Sequence, residues 1–121
     1  MLSIKSAVLT ALQTNSAMST LYGQKFYFSN PPDFLNLPVG SYFELDNTGN
    51  LYADDQEIGS EIIYQIDLWS KASLTAYALG VDSAMTRLVF SRILSLDLFE
   101  TDTRIFHKSM RYRIDLSDFN F

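Results

Sequence analysis

The stretch "EIIYQIDLWSKASLTAYALGVDSAMTRL", Glu61 to Leu88, changes its hydrophobic period from two to about 3.6 within five residues. In its first half Ile62, Tyr64, Ile66 and Leu68 alternate with Ile63, Gln65, Asp67 and Trp69. β-Branched and aromatic residues in that rhythm suit a pleated strand with one buried face. From Ser73, whose hydroxyl can accept a first-turn backbone N–H, the residues Leu74, Tyr77, Ala78, Val81, Met85 and Leu88 fall on one helical stripe. A strand therefore feeds a helix that can lie back on the sheet. The core is expected to join Tyr64, Ile66 and Leu68 to that stripe, with Asp67 outside it.

Upstream, Ser3 to about Gln13 reads as a helix, because Ile4, Ala7, Val8, Ala11 and Leu12 share one face. The Ser/Thr/Asn-rich segment from Thr14 to Gln24 reads as a loop, and "KFYFS", Lys25 to Ser29, as a short strand. Asn30-Pro31-Pro32-Asp33 stops that strand, since proline cannot donate to a ladder. "SYFEL", Ser41 to Leu45, is the second expected strand, with a turn at Asp46-Asn47-Thr48-Gly49-Asn50. Asp54, Asp55 and Glu57 then read as part of a solvated, mobile loop ending near Gly59. After the second helix, "FSRILSLDLFE" sets Leu94, Leu96 and Leu98 against Ile93, Ser95 and Asp97 as a fourth strand. A turn at Thr101-Asp102-Thr103 leads to "RIFHKSMRYRIDL", Arg104 to Leu116, the longest alternating run. The order α-β-β-β-α-β-β predicts an α+β domain: a mainly antiparallel sheet of four to five strands with two helices packed on one face.

At 121 residues the chain reads as one domain, 1–121, large enough to bury roughly two-thirds of its unfolded surface. It has no cysteine, which removes disulfides, thiolate zinc sites and thiol catalysis together. No signal peptide or membrane-spanning run is expected. With 14 acidic against 9 basic residues and a net charge of -5, specific nucleic-acid binding through phosphate neutralisation is not expected. Nor does the sequence offer catalytic machinery. His107 is the single histidine and reads as a solvated residue on the polar face of its strand. The carboxylates at Asp54, Asp55 and Glu57 lack the spacing of a calcium loop, and the five glycines form no phosphate-binding motif. No enzyme, metal or cofactor is expected.

Two large apolar residues fall outside the expected core. Trp69 is on the strand face opposite Ile62 to Leu68, and Leu79 points away from the buried helical stripe. Together with the acidic loop residues Asp54, Asp55 and Glu57 they are the interface candidates.

The helix-first start, the proline-rich break, "YQIDLWSK" (Tyr64 to Lys71), the amphipathic helix that follows and the closing "DLFETDTRIFHKSMRYRI" (Asp97 to Ile114) together resemble the small tail-completion proteins of long-tailed bacteriophages. That group includes tail terminators and tail-to-head joining proteins. The stretch "NLPVGSYFELDN", Asn36 to Asn47, departs from it, because Val39 and Gly40 separate the proline from the strand. The resemblance implies a structural virion protein found at the head-proximal end of the tail, and in the host cytoplasm during assembly. It implies a homo-oligomeric ring, most often a hexamer, with the tail tube protein and the head connector or stopper as partners, and no membrane or specific nucleic-acid partner. The competing expectation is a cytosolic α+β ligand-binding or enzyme subunit, for which a pocket lined by groups of shifted pKa would argue.

Overall fold

The computed structural model describes residues 3–15, 26–28 and 38–117. In chain order the elements are α1 (Lys5–Thr14), β1 (Phe26–Phe28), β2 (Val39–Ala53), β3 (Gln56–Ser70), α2 (Thr75–Arg87), β4 (Ser91–Glu100) and β5 (Ile105–Ser117). This is the α-β-β-β-α-β-β order expected of the sequence. The five strands form one sheet in the order β1-β2-β3-β5-β4. Neighbours pair antiparallel except β1 and β2, which run parallel although they follow one another in the chain.

The helices lie on one face of the sheet. Ile62, Tyr64, Ile66 and Leu68 of β3 and Met110, Tyr112, Ile114 and Leu116 of β5 are buried there against Val8 and Leu12 of α1 and Ala78, Val81, Ala84 and Met85 of α2. Register explains the layer, since Ile62 faces Ile114, Tyr64 faces Tyr112 and Ile66 faces Met110 across the two central strands. The Tyr112 hydroxyl donates to Asp82 Oδ1 at 2.9 Å, which satisfies its one polar atom inside the layer. Ser73 Oγ accepts the Thr75 N–H at 3.3 Å, but the N-cap of α2 is Leu74, which makes no side-chain capping bond, so Ser73 stands one residue before the capping position its sequence suggested for it.

At its other end α2 closes with a Schellman pair: Phe90 N–H donates to Met85 O and Val89 N–H to Thr86 O. Val89 takes the left-handed conformation this motif demands, at φ 71°, where glycine is usual. A β-branched residue there carries backbone strain.

The largest departure from the expected layout concerns residues 46–59. The Asn/Gly-rich segment from Asp46 is not a turn, and the acidic segment is not a mobile loop. β2 continues through the first to Ala53, with register shifts between Glu44 and Asp46, between Gly49 and Leu51 and between Leu51 and Tyr52, and the acidic segment supplies the corner and the start of β3. The reversal falls at Asp54-Asp55, with Ala53 paired to Gln56 and φ of 51° and 61° at the two central residues. Positive φ at both positions defines a type I′ hairpin turn, whose twist matches the flanking strands. Asp46, Asn47, Thr48 and Gly49 thus pair with β3 and only Asn50 of that run is skipped in the register, while two aspartates, which tolerate this conformation, make the corner. The expected loop at 14–24 and the proline break at 30–33 lie almost wholly outside the described residues.

Candidate assembly surface

On the sheet face away from the helices, strand register sets out ordered rows. One runs Val39, Trp69, His107, Leu98 across β2, β3, β5 and β4; the next runs Ser41, Asp67, Ser109, Leu96; the third runs Phe43, Gln65, Arg111, Leu94. Trp69 is on this face, as its position in the alternation required. Its indole stacks on the His107 ring with centroids 4.6 Å apart and planes 16° from parallel.

His107 is not a solvated residue. Its Nε2 lies 2.9 Å from Asp67 Oδ1, and both side chains are largely withdrawn from water. Asp67 is outside the helix-side core yet buried, which its sequence position alone did not reveal. Gln65 Nε2 donates to Asp67 Oδ2 at 2.9 Å, and Arg111 Nε donates to Gln65 Oε1 at 2.9 Å. Burial by itself would raise the Asp67 pKa; hydrogen bonds from His107, Gln65 and Ser109 outweigh it and hold the carboxyl below its ordinary value. The carboxylate is therefore the acceptor and the imidazole Nε2–H the donor. Ser109 spends its hydroxyl on Asp67 rather than on His107. The pair thus lacks the nucleophile–base bond of a hydrolytic triad, and its arrangement locks β3 to β5 and orients the Trp69–His107 stack.

β4 closes the sheet beside this face. Nearly every side chain along it is exposed, Ile93, Leu96, Leu98 and Phe99 included. An edge strand with that much apolar surface is a ready template for another chain. Where β4 and β5 pass the start of α2, a cleft of about 460 Å³ opens, lined by Leu74, Thr75, Ala78, Phe99, Phe106 and Lys108 among others. Phe99 and Phe106 contact each other on it, with centroids 4.8 Å apart. Lys108 is bridged to Asp97 at 3.1 Å.

Of the remaining interface candidates, Leu79 stands on the outer side of α2 and is 67% exposed. Asp54 and Asp55 form the hairpin corner and Glu57 sits just inside it, where the Ser60 hydroxyl donates to its Oε1 at 2.6 Å. The fold does not bring these three carboxylates to Trp69, which lies at the other end of the β2–β3 hairpin, or to Leu79, which is on α2. Sequence reading missed Tyr52, which lies beside the corner and is 62% exposed. It also missed the cleft, which only tertiary packing assembles. Among the described residues no group of three or more His, Cys, Asp or Glu side chains could hold a metal ion, and no helix is long and apolar enough to cross a membrane.

No protein-family model matches the sequence, and no curated protein matches it. Solved structures do match. One is a chain from the virion of a native gene transfer agent particle, similar with a TM-score of 0.69 over 95% of this chain and 95% of that one, at 13% sequence identity. At that identity the likeness is one of fold, and it extends over nearly the whole of both chains.

Proposed function

We infer that this chain is a structural virion protein: a tail terminator or tail-to-head joining protein that assembles as a ring, of six copies by the family resemblance, on the head-proximal end of a tail tube. There it stops tube polymerisation and presents a docking face to the head connector or stopper. It works by association and catalyses no reaction. The observation that carries this reading is the end-to-end fold likeness to a chain built into a gene transfer agent virion. The surface agrees with it. Large apolar side chains are spent on an edge strand and an outer helix face rather than on the core. The polar groups that resemble chemistry are bonded to one another, His107 to Asp67 and Lys108 to Asp97. The ligand-binding alternative has the cleft in its favour, but no activated nucleophile or metal cluster among the described residues.

The test is to add the protein to its cognate tube protein during polymerisation. The reading expects tubes capped at one end and shortened as the protein-to-tube ratio rises, and capped tubes that join connector-bearing heads. Tubes that elongate unchanged with no protein bound would overturn it.

A further inference from the structure

We propose that the β2–β3 hairpin tip of one copy docks into the α2–β4–β5 cleft of the next, through Tyr52 and the Asp54-Asp55 corner. The proposal rests on the ring reading and supplies its subunit contact.

Charge is divided along the chain. Seven carboxylates and no basic residue lie between positions 39 and 70, whereas seven basic and five acidic residues lie between 71 and 117. Nearer the hairpin's base part of this charge is answered within the subunit, Glu61 by Arg113, while Asp67 accepts hydrogen bonds from His107 and Gln65. At the tip, no described basic side chain pairs with Asp54 or Asp55. Beyond Gly59, where β5 stops pairing with β3, the tip is a two-stranded ribbon among the described residues. Such a ribbon gains little from the parent sheet, and a docking partner would complete it.

Tyr52 is exposed but seated. Its hydroxyl rests against Gly49 so closely that a Cβ there would collide with it and with the Glu57 carboxyl carbon. An aromatic ring held in place beside a negative corner is a pre-ordered anchor.

The cleft has complementary chemistry. Phe99, Phe106 and Leu74 offer apolar walls for a ring, and Thr75 offers a hydroxyl for its polar end. Within the cleft Lys108 is already bridged to the lining Asp97, so the cations left for the tip are Lys71 and Arg104, exposed two residues from the lining Ser73 and Phe106, and α2 has no acidic residue in its first turn to offset the positive end of its dipole. Tip and cleft occupy opposite ends of β3, roughly 45 Å apart at about 3.4 Å per residue. A subunit cannot satisfy its own cleft. A contact between different patches at opposite ends is head-to-tail, the kind that closes rings rather than two-fold dimers.

The absence of cysteine makes the test clean. Ala53→Cys marks the tip and Thr75→Cys the cleft, both at exposed positions. In wild-type-like assemblies, formed on tail tubes or in concentrated solution, oxidation should yield disulfide dimers only when the two single variants are mixed. The double variant should give a ladder of higher oligomers, since its own two cysteines are too distant to join. Tyr52→Ala should raise the concentration for half-assembly at least tenfold while leaving the unfolding midpoint near wild type. Assemblies that form without this cross-link, or single variants that cross-link to themselves, would overturn the tip-to-cleft contact and leave the ring reading standing. A wild-type protein that associates with itself neither in solution nor on tubes would overturn both.

Discussion

Asp67→Asn should destabilise the fold by about 1–3 kcal/mol at neutral pH, the cost of leaving a buried donor without its acceptor. Three donors converge on the Asp67 carboxylate, from His107 Nε2 and Gln65 Nε2 at 2.9 Å each and from Ser109. An amide replaces one of the two acceptor oxygens with an NH₂ group, so at least one of those donors must face another donor. The side chain is only 6% exposed, so water cannot readily substitute. The sign of the pH dependence follows from the direction of the shift. Asp67 is held below its ordinary value in the folded state, so its contribution is present above the unfolded carboxyl value of about 3.9 and fades as pH falls through the lower folded value. The asparagine variant has no such titration. Urea unfolding of both proteins should therefore show the full gap near pH 7 and a narrower one below about pH 4. A gap under about 0.5 kcal/mol at pH 7, or one that stays constant into acid, would refute the network as described.

Ile66→Ala, which empties a fully buried site facing Met110, should cost about 2–5 kcal/mol in the same assay, with Ser83→Ala at an exposed position of α2 as the control. Val89→Gly should stabilise by about 1 kcal/mol, because glycine adopts the left-handed cap without strain and the side chain lost is 75% exposed; a loss of stability would contradict the cap assignment. Spectrophotometric titration should show Tyr64 resisting ionisation, since burial first and the Glu44 charge second push it up to about 12, with Tyr112 later still for the same first reason and its bond to Asp82. Stability from these two phenols is fully present below the unfolded value of about 10 and declines as pH rises above it, so tyrosinate absorbance for both appearing near pH 10 in folded protein would count against their burial.

The central strand and second helix were legible because a period-two run meets a period-3.6 run there, and each period has one buried face. Ile62 to Leu68 and the stripe from Leu74 to Met85 are the layer the structure shows. The hairpin from 46 to 59 was not legible as such, because Asn47, Thr48, Gly49 and Asn50 have the composition of a turn while Asp54-Asp55 has the composition of a solvated loop. Which of the two bends the chain depends on pairing across β2 and β3, a long-range property. Trp69 and Leu79 could be placed outside the core by periodicity alone, and the structure puts them there. The partnership of His107 with Asp67 could not be read, since 40 positions separate them and only the β3–β5 register brings them together. The cleft escaped for the same reason, being made from the start of α2 and the ends of two later strands. Tyr52 was hidden because a strand, not a loop, carries it to the tip.

The most direct test of the assembly reading is to image tail-tube ends by electron microscopy after adding saturating protein and to count the copies bound. The account predicts a closed ring of fixed copy number at one end of every tube, with the head-proximal end blocked to further growth. Protein scattered along the tube wall, or ends that stay bare and continue to grow, would contradict it.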